Sequence, residues 1–443
     1  MDSELNSRLR QRLADACVAD ARGNRLKLGS DATAIIGRVA DSEPLFQTER
    51  VVAESHPQHV IRGLAALALV TGVRRCLLAV RADWTSATRM LRRMAAGTSV
   101  EVIAVSASCP RDVATISVDI AQSMGKTPAQ AGLLRPVLFG AQVLVDVAAA
   151  VDERPLPRRT VSVAGAVRNP AILQVPLGTG ISDLVAACGG SPNPGWVAFH
   201  NGVLAGERVG GDFHVDLQTH GIVILPREHP LVVASTTPLS DHLRRTASAC
   251  VGCRICTDVC PVALCGGELA PHHLVQRIAR GGAFANNAND TNSTLHTMTC
   301  TQCGVCTVAC PSALDPARII AAMAESLRKQ GVEYLAPQTW RAVADRAGRQ
   351  LSMQRLEAML GLSAYSLAGW TGPARSVIPQ RIVVALDSPA GRRRPAVHLG
   401  QAIGVGERIL LSDPAAGDVD IRSQVAGRVV EIDRDESVTI RVS

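Results

Sequence analysis

The chain has 443 residues, room for roughly two to four domains with cores of ordinary size. Apolar residues make up 47% and aromatic residues 2%, which excludes a disordered chain and leaves little to stack on nucleic-acid bases. The formal charge of +7 sits mostly on scattered arginines, since lysine occurs only at Lys27, Lys126 and Lys329; no nucleic-acid partner is expected from it.

In chain order, the opening "MDSELNSRLRQRLADACVADARGNRLKLGS" is charged and lacks an apolar core, so no secretory leader is expected. No apolar run reaches the roughly 18 residues of a transmembrane helix, and the chain reads as cytoplasmic. Residues 56–73 have the 3.6-residue apolar period of a helix. "RRCLLAVRA" then reads as a strand, "WTSATRMLRRMAAG" as a helix and "SVEVIAVSA" as a strand. Alternation of this kind predicts a parallel sheet with helices packed on it. A Pro- and charge-rich linker at 152–159 ends that pattern. "TVSVAGAV", the turn "RNPA", "ILQVPLGT" and the helix "GISDLVAACGG" then read as a small β-grasp unit, closed by the strand "GIVILP". Helical text surrounds the next feature and continues to about 330. From Pro379 short Val/Ile-rich strands with turn signals predict a small all-β module.

That feature is a pair of cysteine runs. Cys250, Cys253, Cys256, Cys260 and Pro261 repeat as Cys300, Cys303, Cys306, Cys310 and Pro311, each in the form C-x2-C-x2-C-x3-C-P. A thiolate at every third residue of a tight loop can cap three irons of one cubane. The fourth cysteine leads into a helix whose first turn suits proline. In two-cluster proteins of this bacterial pattern the fourth cysteine ligates the other cluster. Cys250, Cys253, Cys256 and Cys310 are therefore expected to hold one [4Fe–4S] centre, and Cys300, Cys303, Cys306 and Cys260 the second. Zinc fits a third cysteine at the same step poorly, and disulfides fit a cytoplasmic chain poorly. Cys265 is expected to be a buried structural thiol, and Cys17, Cys76, Cys109 and Cys188 core residues.

With those runs placed, the whole chain resembles the cobalamin (corrin) reductase family of propanediol-utilisation microcompartments, itself similar to the C subunit of Rnf electron-transport complexes. The text that carries the likeness includes "SEPLFQTERVV" (42–52), "RRTVSVAGAVRNPAILQVPLG" (158–178), "CRICTDVCPVALCGGELAPHHLV" (253–275) and "SQVAGRVVEI" (423–432). It is closest from about 158 to 330. The resemblance implies an α/β multidomain chain. Residues 1–152 would be an α/β domain like the flavin domain of the complex I 51 kDa subunit, and 158–228 a soluble-ligand-binding β-grasp domain. A dicluster ferredoxin-like domain would span 238–330, a helical linker 331–378 and a barrel-sandwich hybrid module 379–443. The resemblance also implies NADH-fed FMN and a corrinoid, corrinoid enzyme or other redox protein as partner. It further implies a place inside or attached to a microcompartment, beside a shell protein; residues 3–18 are helical text that could serve as a tag.

Three flavin elements of the family are altered here. "DARGNRLKLGSDATAIIG" (20–37) lacks the family's glycine cluster, Arg38 stands where an asparagine is expected, and "LFGAQVLVDV" (138–147) replaces an Asn-Asn-Val element. Glu43 and Pro44 are kept, so Glu43 is a candidate remnant of the flavin site. The residues leave FMN open. Two readings follow: a flavin-dependent reductase feeding the clusters, or an electron conduit or docking subunit without intrinsic NADH oxidation. The C-terminal module also resembles lipoyl and biotinyl carriers, but no lysine follows Lys329 to accept the group. His272 and His273 could ligate or move protons, though adjacent histidines near a helix start more often cap it or face solvent.

Overall fold

The structure, a computed structural model, describes residues 7–9, 13, 33–109, 113–124, 136–280, 294–334, 342–367, 369–388, 391–412, 419–433 and 436–443. Most of the altered glycine-loop text at 20–37, most of the 3–18 segment, and Cys17 lie outside these residues, as does the side chain of Cys109.

Four parallel strands form the first sheet: β1 (Ala34–Val39), β2 (Arg75–Arg81), β3 (Val100–Val105) and β4 (Pro136–Gly140), in the order β3-β2-β1-β4. β1 and β2 are almost wholly buried because helices cover both faces, which is why their text is nearly continuously apolar. Helices α1 (Thr48–Ser55), α2 (Pro57–Thr71), α3 (Thr85–Ala95), α4 (Val113–Ser123) and α5 (Ala141–Val151) complete the unit. Ile35, Leu78 and Val80 pack with α2, α3 and α5 on one face, whereas Ile36, Leu77 and Ile103 pack with Ile116 and Ile120 of α4 on the other. α2 and α5 approach so closely that a Cβ on Gly63 would stand 1.9 Å from the Leu144 carbonyl oxygen. Gly63→Ala should therefore cost at least about 2 kcal/mol of stability, visible as a lowered thermal midpoint. A midpoint equal to the parent's would refute the tight crossing.

A second, mixed sheet follows. β5 (Arg159–Gly165) and β6 (Ala171–Val175) make the expected hairpin. β7 (Trp196–His200), β8 (Glu207–Val209) and β9 (Gly221–Pro226) complete it, with β9 parallel to β5, and α6 (Ile181–Ala187) packs on one face. The other face meets Leu45, Phe46 and Val51 of the first unit. Arg159 and Asp146, both buried, pair at 2.6 Å and tie β5 to α5. Breaking such a pair strands a buried charge, so it acts as a strut between the two units.

The segment expected to be a helical linker is built into its neighbours. Residues 351–352 pair with 108–109, Met353–Met359 is helical, and residues 375–376 add a strand to the edge of the β6 hairpin. The last described stretch is all β. Arg381–Ala385, Gly427–Asp433 and Ser437–Val442 form most of one sheet around Ile382, Val429 and Ile440, and Leu177, just after β6, enters the same core.

Candidate functional site

The two cysteine runs fold into the same local structure. Each loop reaches a left-handed residue, Arg254 at φ 68° or Gly304 at φ 70°, and then a one-turn helix, Ile255–Asp258 or Val305–Val308. A threonine on each turn ties it to the following helix. Thr257 Oγ1 accepts the N–H of His272 at 3.0 Å, and Thr307 Oγ1 accepts that of Ala317 at 3.1 Å. His272 also shares a 2.7 Å hydrogen bond between Nδ1 and Thr257 Oγ1, which fixes its ring at a helix start, where it lines the cavity at the first cysteine run. His273 beside it is exposed.

The one-turn helices pack against each other, and that contact crosses the fourth cysteines over. Cys250, Cys253, Cys256 and Cys310 line one cavity of about 360 Å³, counted out to its open mouth. Cys260, Cys300, Cys303 and Cys306 line a second of about 320 Å³. Each fourth cysteine thus faces the cavity of the other run. Among the described residues no group of three or more His, Cys, Asp or Glu is gathered as ligands of a single metal ion.

Cys256, Cys260 and Cys306 are buried, whereas Cys253 is exposed. Burial pushes the Cys256 thiol up to about 12 and raises Cys260 and Cys306 well above the usual thiol range, with neighbouring cysteines adding to each rise. Such thiols stay protonated unless a cation holds them as thiolates, so metal binding here would release protons. Backbone N–H groups of Val262 and Ala263 pull the other way at Cys260, and the N–H of Gln302 donates to Cys300 Sγ at 3.4 Å. Four soft sulfurs per cavity, with N–H donors aimed at them, suit an iron–sulfur cluster.

Glu43 holds a loop of the second sheet. Its buried carboxylate accepts the N–H groups of Val203 and Leu204 at 3.0 Å and of Ala205 at 2.7 Å. Burial pushes the carboxyl up to about 7 against the pull of those donors. The flavin remnant read from "SEP" is thus bonded to the loop between β7 and β8. That loop in turn lies on the second cavity: the Leu204 backbone covers Gly304, and its side chain joins Val305, Leu351 and Met353. Nothing local in the sequence signals this contact.

The crevice at the carboxyl ends of β1 and β4, where strand order reverses, is the ligand position of a doubly wound sheet. Here Glu49 Oε2 accepts the N–H of Ala141 at 2.6 Å and so takes the anion position at the α5 N-terminus. Arg38 stands 3.6 Å from Glu49 and donates to Ser42 Oγ at 2.8 Å. Asp41 beside them is pushed up to about 7 by burial and by the Glu49 carboxylate. The described residues of this crevice do not fit a flavin phosphate at α5. Cys76 and Cys188 are buried in apolar cores, and Cys265 is buried against Val118 and Ala121, as the sequence suggests.

A 4Fe-4S dicluster domain matches residues 249–315, and an SLBB domain matches residues 160–210. The cobalamin reductase PduS of Salmonella typhimurium is 28% identical over 98% of this chain and 96% of its own length. The C subunit of the ion-translocating oxidoreductase complex of Methanosarcina acetivorans is 33% identical over 30% of this chain and 28% of its own. The NAD+-reducing [NiFe]-hydrogenase in its H2-reduced state aligns with 74% of this chain and 67% of that one, at 17% identity and a TM-score of 0.44, too loosely to carry an argument. Among the described residues no helix is long and apolar enough to cross a membrane. The chain is an iron–sulfur protein homologous over nearly its full length to the cobalamin reductase PduS, and over a shorter span to the C subunit of the Rnf complex.

Proposed function

We propose that this protein carries two [4Fe–4S] clusters and passes single electrons between a donor and a corrinoid or redox-protein acceptor. The observation that carries the proposal is the sorting of eight cysteines into two four-thiol cavities, each completed by the other run. Cys250, Cys253, Cys256 and Cys310 would hold one cluster and Cys300, Cys303, Cys306 and Cys260 the other. A [4Fe–4S] cluster supplies one-electron chemistry. The chain's own contribution is burial of Cys256, Cys260 and Cys306, which limits water, and N–H donors at Cys260 and Cys300, which favour added negative charge on sulfur. The reading extends to the five-part organisation of 1–152, 158–228, 238–330, 331–378 and 379–443, and to residence in or on a microcompartment.

Anaerobic reconstitution should load about 8 irons and about 8 acid-labile sulfides per chain. Two zincs without labile sulfide would refute the proposal. A second reading, favoured by the Glu49 carboxylate at the α5 N-terminus, makes the first unit a docking scaffold without FMN. Acid treatment of the pure protein should then release no fluorescent flavin; one flavin per chain would restore the reductase version.

A further inference from the structure

The two cysteine loops match in backbone and differ in cover. At Gly304 a Cβ would stand 2.9 Å from the Leu204 carbonyl oxygen, and the next residue, Val305, is 1% exposed. Glycine is required there both by the left-handed φ and by the loop above it. The equivalent position of the first loop carries Arg254 in the same left-handed conformation, which a residue with a Cβ adopts only at a cost in strain. Its side chain is 62% exposed, Val251 is 73% exposed, and Ile255 and Cys253 are exposed as well. The second loop is therefore covered at Gly304 and Val305 by the loop between β7 and β8 that Glu43 anchors, while Thr301 and Gln302 at its start stay exposed. Among the described residues nothing covers the corresponding part of the first loop, where Val251, Cys253, Arg254 and Ile255 form an exposed, partly apolar lip.

The charge on that lip is of one sign where it meets the cavity. Arg254 lines the first cavity, and no carboxylate does. Asp258 behind it is shared between Arg254 at 3.4 Å and Arg349 at 3.1 Å. A small apolar patch beside an exposed arginine suits a transient electron-transfer contact, where charge steers the encounter and little area is buried.

We propose that the first cavity is the electron port of this protein, and that its lip docks an acidic one-electron carrier. Carboxylates of that carrier would meet Arg254, with Val251 and Ile255 beside it. The proposal rests on the reading of the cavities as cluster sites. In the transfer one electron leaves the reduced iron–sulfur protein, an oxidised carrier gains it, and no proton moves.

The test uses the full, reconstituted chain with two haem proteins of opposite charge, acidic cytochrome b5 and basic cytochrome c. Binding is read by calorimetry, and reduction of ferric to ferrous haem by stopped flow. Cytochrome b5 should bind and be reduced, and raising salt from about 20 to about 200 mM should slow its reduction about tenfold. Arg254→Glu and Val251→Glu should each weaken binding and slow reduction about tenfold. Arg254→Gly, which removes the charge and relaxes the backbone, should cost about threefold, and Arg92→Glu on α3 should change neither quantity. Iron, sulfide and electron paramagnetic resonance spectra must match the parent in each variant. Unchanged cytochrome b5 binding by an intact Arg254→Glu protein would overturn the port. So would preference for cytochrome c, or an Arg254→Glu change in sedimentation showing that the lip pairs two copies of this chain. Parent protein without labile sulfide would instead sink the cluster reading, while charge-sensitive cytochrome b5 binding would still uphold the surface.

Discussion

Replacing Cys310 with serine is expected to abolish or alter the cluster signal that depends on Cys250, Cys253 and Cys256, although Cys310 belongs to the other run. Its thiol lines their cavity, and Cys260 lines the cavity of Cys300, Cys303 and Cys306. Serine keeps the shape but offers a hard, poorly ionised oxygen where iron in a cubane is held by soft sulfur. Iron should fall from about 8 toward about 4 per chain, with the 300-run signal retained. Cys260→Ser should give the reciprocal loss. Electron paramagnetic resonance of the two reduced variants decides the matter: if Cys310→Ser spared the 250-run signal and changed the other, the crossed ligand sets would be wrong.

Glu43→Ala should loosen the cover of the second cavity. It strands three N–H donors, each costing roughly 1–3 kcal/mol when buried without a partner, and because they share one acceptor the total should be about 3–5 kcal/mol. Hydrogen exchange at Val203, Leu204 and Ala205 reads this locally and should quicken by at least about 100-fold. The Leu204 backbone lies on Gly304, so the second cluster should also be lost faster in air. Exchange at parental rates would show that another group holds the loop.

The pH dependence has a definite sign. Burial raises the Glu43 carboxyl from 4.5 in the unfolded chain to about 7, so the folded state binds the proton more tightly. That contribution to stability is complete below about 4.5 and is lost as pH rises through about 7. Protection of the loop should therefore fall between those values. Glu43→Gln, neutral throughout, should flatten part of the slope, and Asp41, also raised to about 7, supplies more of the same sign.

Much of the architecture was legible because it depends on local pattern. Strands β1 and β2 are apolar almost throughout, as buried parallel strands must be, and α2 shows the helical period. The β5–β6 hairpin is announced by "RNPA" between two β-rich runs. The cysteine spacing likewise encodes its own loop, because ligands three residues apart demand one tight turn after another. The rule for paired runs likewise leads one to expect each fourth cysteine beside the other run, and the two cavities are lined in that way.

Other features depend on residues far apart in the chain. Glu43 looks like a family contact when read alone, and becomes an anchor only because β8 brings residues 203–205 onto it. The segment 331–378 reads as linker text, yet residues 351–352 and 375–376 become edge strands of two different sheets because open strand edges attract any extended neighbour. The difference between the two cysteine loops was written at a single position, Arg254 against Gly304, but its meaning was not. By itself the sequence determined that this protein carries eight thiols in two repeated runs, with alternating helices and buried parallel strands and then a hairpin ahead of them and short strands behind. Tertiary structure alone decided that, among the described residues, the second loop is covered at Gly304 and the first is exposed at Arg254, because the cover comes from Leu204, a residue about a hundred positions away whose reach no local pattern records.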